Sequence, residues 1–411
     1  MLNPNLTLSI KGVKGEIRKD FLIIKSEVPL KTMSSAVLNG GLRDANAIIN
    51  CQVPKDYDHI DPQGYLKSIT RKAGLSPEQV VGLMTAVNVS NVAVVTQQYH
   101  GLTVSAIVTA GLSNAAKAGD PALPVLKTGT INIIIVIDGN LTEGCMVDAV
   151  KTVTEAKSMA LRELDIRSLI SSELASGTTT DAIVVACTNR GKPIDHAGTA
   201  TKLGEMIGIS TIKAVKEAIR KQEGITSDRS LTQRLRERGI TLEDLLSTAL
   251  ELFQPHPGVE TNEKASKMLK EGFEQALSDV NVAALVVAGL KLEEEGRCGL
   301  IPSLSEESFK RDPIFLVADE ILGMAIANYI AGTRGMFEFV RFDRIKPGVL
   351  KRLGPVLDDV IGGIVAGVSS NIYTTALTRK SRTPPFRTGS PWVIQDEALQ
   401  FKVGSPSRQP S

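Results

Sequence analysis

Aromatic residues are scarce in this sequence. They account for 4% of its 411 residues, and Trp392 is the only tryptophan. Proteins that bind single-stranded nucleic acid stack the bases on exposed aromatic rings, and this composition offers few of them. An excess of charge of one sign is also lacking, because 47 lysines and arginines face 45 aspartates and glutamates. A nearly neutral chain presents no strong field to a polyanion, so we expect no nucleic-acid partner.

Cysteine is sparse and scattered. The four cysteines, Cys51, Cys145, Cys187 and Cys298, form no Cys-x-x-Cys pair, which argues against a disulfide scaffold and a structural zinc site. Such thiols are typical of a reducing compartment. Apolar runs stay short of the ~18 residues of a membrane span, and the first residues lack a secretory signal. We therefore expect a soluble, cytoplasmic protein without a membrane span, for which oligomerisation stays open.

The hydrophobic pattern of the first half predicts a sheet. Short stretches at residues 131–137 and 181–186 are almost continuously apolar and β-branched, which is typical of strands covered on both faces. Residues 145–164 between them have the spacing of a helix. These features predict an α/β or α+β domain over residues 1–222.

The second half has a different pattern. After a polar stretch at residues 222–230, helical patterns follow one another with few strand candidates. We predict an all-α domain over residues 230–376. Residues 377–411 combine basic residues with prolines and serines, and this composition predicts a disordered basic tail.

Acidic residues interrupt two apolar helical segments of the second half. Asp319 and Glu320 form one pair, and Asp358 and Asp359 form the other. Burial of carboxylates is costly unless they are compensated, and a divalent cation such as Mg²⁺ compensates them well. The alternatives are that the acids complement helix N-termini or pair with an arginine.

Cations and glycines accompany the acidic pairs. Arg341 and Lys346 lie around a turn between the pairs, where they would offset charge on phosphoryl oxygens. Gly363 and Gly367 are spaced for tight helix packing. The acidic run at residues 293–295 is interpreted as a solvated helix end. The set indicates a metal-dependent phosphoryl hydrolase in which Arg341 and Lys346 bind the substrate.

The order of these motifs, from residue 312 to residue 367, resembles the phosphatidylglycerophosphatase A family. It is most similar to the soluble archaeal branch, the α-ribazole phosphate phosphatases, over about residues 230–375. The resemblance implies a phosphomonoesterase that needs Mg²⁺ or another divalent cation. Membrane-bound members have hydrophobic spans that this chain lacks, which favours a soluble phosphate over a lipid. The metal and catalytic groups that it implies are Asp319, Glu320, Asp358 and Asp359.

The first half contains neither a histidine–carboxylate metal motif nor a Gly-x-Ser-x-Gly nucleophile motif. It contains instead loops of small polar residues at the ends of the predicted strands. Such loops present backbone N–H groups and hydroxyls to a ligand, although ordinary turn chemistry explains each of them singly. The loops are residues 34–41, 109–120, 129–132, 176–181 and 196–201.

The loops and their flanks, with one helical stretch, resemble the adenosylcobinamide amidohydrolase family over about residues 5–220. In order, the resembling segments are residues 34–42, 109–120, 129–138, 154–157 and 176–204, and the most specific parts are 129–133, 176–181 and 198–202. The resemblance implies hydrolysis of the amide that joins aminopropanol to the corrin side chain, with release of adenosylcobyric acid. No cofactor is identified for this half, since the corrinoid is the substrate.

The resemblance assigns no catalytic residue, so candidates follow from the chemistry. Amide hydrolysis needs a nucleophile, a base and donors for the oxyanion. Asp181 and His196 are candidate bases, and Thr178 and Thr179 are candidate hydroxyl or oxyanion groups. A water activated by the base is the alternative nucleophile, whereas a buried thiol stays protonated and is less suitable. The candidate substrate-binding residues are Asn39, Asn114, Asn132 and Thr199.

Together the two halves resemble archaeal bifunctional enzymes of cobamide (coenzyme B12) salvage. The resemblance implies that one chain hydrolyses adenosylcobinamide and dephosphorylates α-ribazole 5′-phosphate to α-ribazole. Two alternatives stay open. The first half could be a corrinoid-binding module without catalysis, or the second half could be a lipid-phosphate phosphatase that the basic tail docks to membranes.

Overall fold

The computed structural model describes residues 5–55, 57, 60–122 and 129–380, with the backbone alone at 378–380. The disordered tail was predicted from residue 377, but residues 377–380 still belong to the last helix, and the remainder of the predicted tail, from position 381 onward, lies outside the described residues. The chain divides into two compact units, Met1–Ile240 and Thr241–Ser411. As predicted, the first unit is a sheet domain, of barrel-like form, and the second is helical.

A nine-stranded sheet and two short strand pairs form the framework of the first unit. The described strands are β1 Asn5–Leu6, β2 Val13–Arg18, β3 Phe21–Ser34, β4 Gly41–Gln52, β5 Val80–Thr85, β6 Ala93–Tyr99, β7 Leu102–Ala110, β8 Ala115–Ala116, β9 Ile131–Asp138, β10 Asn140–Leu141, β11 Gly177–Thr178, β12 Ala182–Cys187 and β13 Pro193–Ile194. The helices of this unit are α1 Pro62–Lys72, α2 Glu143–Glu163, α3 Lys202–Glu223 and α4 Leu231–Arg236.

One long strand allows the sheet to fork. The 14-residue β3 pairs with β2 along its first part, with β12 along its last four residues, and with β4 on its other edge. The spatial order is β1-β2-β3-β12-β9-β7-β6, and β5 is added to β4. β9 and β12 run parallel. The sheet curls until β4 faces β7, where the Asn50 amide donates to Thr109 Oγ1 at 2.9 Å.

The burial of β9 on both faces explains its nearly unbroken apolar sequence. Ile133 and Ile135 pack with α2 and α3 in one cluster, whereas Ile134 and Val136 pack inside the barrel. A strand covered in this way needs no polar face. Asn132 lies on the same side as Ile134 and is 1% exposed, so it is a polar exception inside the barrel.

An ionic cluster holds residues 225–240 to the first unit. At its centre is the buried carboxylate of Asp165, just after α2, and Arg229 donates to the Asp165 backbone oxygen at 3.1 Å. The arginines within 4.0 Å of the carboxylate are Arg167, Arg229, Arg234 and Arg238. Burial alone would raise the pKa of Asp165, but the arginines outweigh it and hold that pKa below its ordinary value. The division between the units therefore falls after Ile240, later than the polar stretch at residues 222–230.

Helices alone build the described part of the second unit. They are α5 Leu242–Glu251, α6 Asn262–Ser278, α7 Val280–Arg297, α8 Glu306–Lys310, α9 Ala318–Ala331, α10 Thr333–Ile345 and α11 Pro355–Lys380. Helix α11 is the central element, because α6, α7, α9 and α10 all pack against it. Residues around its whole circumference, such as Val360, Ile361 and Ile364, are buried as a result.

Among the described helices, α11 alone is by itself long and apolar enough to cross a membrane, over Pro355–Leu377. The bent pair α6–α7 passes the same test only when its two helices are joined. Of the apolar window of α11, 72% is buried within the protein, as is usual for the core helix of a globular domain.

Candidate active sites

Helices α9 and α11 cross with their backbones almost in contact. A Cβ atom on Gly363 would lie 2.3 Å from the Gly323 backbone oxygen, and one on Gly323 would lie 2.6 Å from the backbone oxygen of Asp359. Only glycine fits at such a distance, which confirms the tight packing predicted for Gly363. The crossing brings the first turn of α9 against the beginning of α11, and with them the two predicted acidic pairs.

Three carboxylates form the centre of this site. Oxygen atoms of Asp319, Glu320 and Asp359 all lie within 4.8 Å of one another. Within the described residues, Glu320 Oε2 and Asp359 Oδ1 are buried without a hydrogen-bond partner. Burial, reinforced by Asp358 and Asp343, raises the pKa of Asp359 to about 9. Burial and the neighbouring Glu320 raise the pKa of Asp319 to about 7.

This donor set fits a divalent cation. Hard cations such as Mg²⁺ prefer carboxylate oxygens and offset the repulsion between them. Buried carboxylate oxygens without partners are costly unless such a charge is present. The residues that would hold the cation are Asp319, Glu320 and Asp359.

The fourth acidic residue is directed to a lysine instead. Asp358 accepts a hydrogen bond from Lys346 Nζ at 2.5 Å, and the same nitrogen lies 3.6 Å from Asp312 and 3.9 Å from Asp343. Burial raises the pKa of Asp358 to about 6 in spite of this partner. Burial opposes a rise in the pKa of Lys346, but the contact with Asp358 outweighs it and raises that pKa.

A cavity of about 410 Å³ opens beside Asp358. The cations Arg297 and Lys310 line it together with Asp312. Lys346 also reaches Asp312 and Asp358, so three basic side chains lie around the space next to the carboxylate cluster. Glu293 and Asp358 line the same cavity and contact Arg297 and Lys346, so the lining carries both charges.

Glu293 was missed as a residue of this site, and its interpretation as part of a solvated helix end is wrong. It is buried, and it accepts a hydrogen bond from Arg297 Nε at 2.7 Å. It also accepts from the backbone N–H groups of Val356 and Leu357 at 3.0 and 3.3 Å. Glu293 thus caps α11 and fixes the turn that carries Asp358.

Arg341 is not brought to the cluster. It precedes Asp343 by two positions on α10 and therefore points to a different side of the helix. Its guanidinium donates to the Leu252 backbone oxygen and lies 3.1 Å from Glu338.

In the first unit, several of the predicted loops lie together where the parallel strands β9 and β12 begin; we call this end of the strands the loop edge. The loops at 129–132 and 176–181 meet there because they precede the parallel strands β9 and β12. The loop at 109–120 joins them because β7 is antiparallel to β9. The end of β3 reaches the same edge, where Ser35 Oγ accepts from the Ile183 N–H at 3.1 Å.

Asp181 lies at the centre of these loops. Its Oδ1 accepts from the Thr178 hydroxyl and from the Ile131 N–H, and its Oδ2 accepts from Lys157 Nζ and the Thr178 N–H. The side chains of Lys157 and Asp181 are only 9% and 11% exposed. A Cβ atom at Gly177 would lie 2.4 Å from Asp181 Oδ2, so only glycine fits there. A hydroxyl is thus held against a carboxylate whose position a buried lysine fixes.

Asn114 and Thr179 lie beside this group. The Asn114 amide donates to Thr179 Oγ1 at 2.7 Å and to Thr180 Oγ1 at 3.3 Å. The Thr180 hydroxyl in turn donates to the Gly129 backbone oxygen at 2.7 Å. Four of the predicted residues, Thr178, Thr179, Asp181 and Asn114, are therefore neighbours.

The two other predicted asparagines have distinct positions. Asn132 donates to Asn50 Oδ1 and to the Met84 backbone oxygen, both at 2.8 Å, inside the barrel. Asn39 donates to two backbone oxygens of residues 77–80 at 2.7 Å and has a positive φ of 57°. Asn39 therefore fixes the turn between β3 and β4.

His196 and Thr199 lie at the opposite edge of the sheet. They follow the carboxyl end of β12, whereas Asp181 precedes its amino end, and six strand residues span about 20 Å. The exposed His196 has Nδ1 3.9 Å from Asp148, and Thr199 lines a cleft of about 450 Å³ with it. The structure does not bring His196 to Asp181.

Fold and sites define a protein of two hydrolase-type domains. The family model for adenosylcobinamide amidohydrolase matches residues 6–227, more than half of the chain, and the chain belongs to this family. The family model for phosphatidylglycerophosphatase A matches residues 270–374. Both resemblances drawn from the sequence are therefore confirmed.

Individual relatives agree with these matches. An adenosylcobinamide amidohydrolase of Methanosarcina mazei is 34% identical over 212 residues, which are 49% of this chain and 96% of that protein. An uncharacterized protein of Methanocaldococcus jannaschii is 33% identical over 241 residues, or 53% of this chain and 92% of that protein. A second uncharacterized protein of that organism is 36% identical over 118 residues, or 28% of this chain and 90% of that protein.

Proposed function

We propose that the chain is a cytoplasmic, bifunctional hydrolase of cobamide salvage. Its first half hydrolyses the aminopropanol amide of adenosylcobinamide to give adenosylcobyric acid. Its second half dephosphorylates α-ribazole 5′-phosphate to α-ribazole with the help of Mg²⁺. The observation that carries the proposal is the presence of two separate polar sites, one in each family-matched half of the chain.

For amide hydrolysis, Thr178 supplies the hydroxyl nucleophile and Asp181 accepts its proton. The existing hydrogen bond from Thr178 to Asp181 supports these roles, and the contact between Lys157 and Asp181 keeps the carboxylate in place. Attack of Thr178 Oγ on the amide carbon forms an ester as the carbon–nitrogen bond breaks, and the proton passes to the leaving amine. Water then hydrolyses the ester. His196 has no part in this step, because it lies at the other edge.

For phosphate hydrolysis, Asp319, Glu320 and Asp359 would hold the cation. When bound, the cation polarises the phosphoryl group and lowers the pKa of water. Lys346, Arg297 and Lys310 bind the phosphoryl oxygens from the adjoining cavity. Asp358 orients Lys346 through their short contact. Arg341 binds no substrate in this scheme, because its guanidinium is engaged with α5 and Glu338.

A lipid phosphate is the second candidate substrate of this half. Apolar side chains around the start of α9 favour it, since Ile314 is 99% exposed and Phe315, Val317 and Ile321 are more than half exposed. Such residues next to a phosphatase site suit a lipid surface. The cavity lined by charged residues and the depth at which α11 is buried support the soluble substrate.

One set of assays on the full chain tests both activities. Adenosylcobinamide should release aminopropanol without added metal, and α-ribazole 5′-phosphate should release phosphate only with Mg²⁺. Phosphatidylglycerophosphate in mixed micelles is the competing substrate. Thr178→Val should abolish only the amidase activity, and Glu320→Gln should abolish only the phosphatase activity. Binding of adenosylcobinamide without release of aminopropanol would indicate a corrinoid-binding module, and faster turnover of the lipid would indicate a lipid phosphatase.

A further inference from the structure

Two buried amide side chains at the loop edge of the barrel each keep one acceptor without a partner. Asn132 is 1% exposed and Asn114 is 6% exposed. Among the described residues, neither Asn132 Oδ1 nor Asn114 Oδ1 has a hydrogen-bond partner. Buried polar atoms are nearly always hydrogen-bonded in native proteins, so each of these oxygens requires a ligand or solvent donor.

The neighbours of Asn132 determine the orientation of its amide. Asn132 Nδ2 lies 2.8 Å from the Met84 backbone oxygen, which can only accept. Exchange of its nitrogen and oxygen would oppose two acceptors, so the unpartnered atom of Asn132 is the carbonyl oxygen. For Asn114, the orientation with Oδ1 unpartnered lets Thr180 Oγ1 accept from Nδ2 while it donates to the Gly129 backbone oxygen.

The described hydrogen-bond partners of both asparagines are uncharged. Asn132 is joined to Asn50 and through it to Thr109, and Asn114 is joined through Thr180 to Thr130. The carboxylate of Asp181 in the neighbouring loop already accepts from Lys157, Thr178 and Ile131. The two amide oxygens are therefore neutral acceptors, which suit the N–H donors of a neutral group.

We propose that Asn114 and Asn132 accept hydrogen bonds from the N–H groups of corrin carboxamides, so that this edge selects corrinoids by their amide side chains. The inference rests on the amidohydrolase function proposed above and names the residues that recognise its substrate. The position of Asn114 supports it, because its amide also donates to Thr179, the residue that follows Thr178. A carboxamide bound there lies next to the hydroxyl that attacks.

Gly129 provides a way to block one acceptor without removing a polar group. A Cβ atom at Gly129 would lie 2.5 Å from Asn114 Oδ1 and 2.8 Å from the Ser113 backbone nitrogen. Gly129→Ala therefore blocks the acceptor and displaces the backbone of the Ser113–Asn114 loop. Asn114→Leu and Asn132→Leu remove the acceptors themselves, and Asn140→Leu, on β10 at the opposite edge, is the matched control.

The test compares two probes by visible-absorption titration of the full chain. One is adenosylcobinamide, and the other is the corrinoid with its peripheral carboxamides replaced by methyl esters, which keep the carbonyl acceptors but lose the N–H donors. Wild type and Asn140→Leu should bind the amide form at least 10-fold more tightly than the ester form. Each of the three site variants should reduce this preference about 3–10-fold, the range of a single hydrogen bond.

Equal binding of both probes by the wild type would overturn the inference, as would unchanged preference in the variants. An equal loss of affinity for both probes would show a merely structural role and would also overturn it. If a leucine variant fails to fold, Gly129→Ala decides. Failure of the proposed function is distinct, because the wild type would then release no aminopropanol from adenosylcobinamide.

Discussion

Replacement of Asp319 by asparagine should stabilise the second unit when no cation is bound. The same replacement should remove the stabilisation that Mg²⁺ gives to the wild type. An acid whose pKa is raised on folding favours the folded state only while it is protonated. The stability that Asp319 contributes is therefore present below pH 4 and is lost as the pH rises from its ordinary pKa of 3.8 through the folded value of about 7. At pH 8 the Asp319→Asn variant is free of the cost of holding an ionised carboxylate at this buried position.

The magnitude follows from the same pKa. A tenfold difference in proton affinity is worth about 1.4 kcal/mol, so the raised pKa of Asp319 corresponds to up to about 4 kcal/mol. Burial of Asp319 is the largest cause of the raised pKa and its interaction with the half-buried Glu320 adds to it; solvent reduces both contributions, so we expect a gain of about 1–2 kcal/mol. Mg²⁺ offsets the cost of the ionised carboxylates in the wild type, which it stabilises by about 2.7 kcal/mol at 100 times its Kd.

Hydrogen exchange of the α9 and α11 amides at pH 8 measures both effects locally. In EDTA, Asp319→Asn should exchange more slowly than the wild type, and Mg²⁺ should slow exchange in the wild type alone. Asp279→Asn is the matched control, because backbone N–H groups lower the pKa of Asp279 and no gain is expected there. Faster exchange of Asp319→Asn in EDTA, or protection of that variant by Mg²⁺, would refute the reasoning.

Three further predictions follow from single contacts. Asp165→Ala should lower the free energy of unfolding of the first unit by about 3–5 kcal/mol in urea titrations, because it leaves buried arginines without their carboxylate; a change below 1 kcal/mol would contradict this. Gly363→Ala should reduce phosphatase kcat more than 10-fold and leave aminopropanol release intact, since its methyl group forces α9 from α11; equal loss of both activities would be inconsistent. Lys157→Met should lower amidase kcat at least 10-fold, whereas His196→Ala should stay within twofold of the wild type. The reverse ranking would show that the amidohydrolase site lies near His196 and not near Asp181.

The sequence predicts much of the fold because its patterns are local. Continuous β-branched runs identify β9 and β12 as strands buried on both faces, and the structure confirms this. Glycine spacing predicts the close approach of α11 to α9. The acidic pairs converge as expected, but the pattern alone does not decide which member faces inward, because consecutive helical positions differ by about 100°. Asp359 joins the cluster and Asp358 contacts Lys346.

What the sequence did not reveal depends on topology. The parallel pairing of β9 with β12 decides which loops meet, and it separates His196 from Asp181. Glu293 was missed, and Lys157 was given no role although residues 154–157 are part of the family resemblance. Each carries a local signal. Each places a charge on the apolar stripe of its helix, four residues after Val153 in α2 and three after Leu290 in α7. A charge at such a position needs a buried partner, and in both helices that partner belongs to a candidate site.

A crystal soaked in millimolar Mn²⁺ and measured at the manganese absorption edge tests the phosphatase site most directly. The account predicts an anomalous peak bound by carboxylate oxygens of Asp319, Glu320 and Asp359, and its loss in Glu320→Gln crystals. A cation bound elsewhere in the helical unit, with these three carboxylates left unligated, would contradict it.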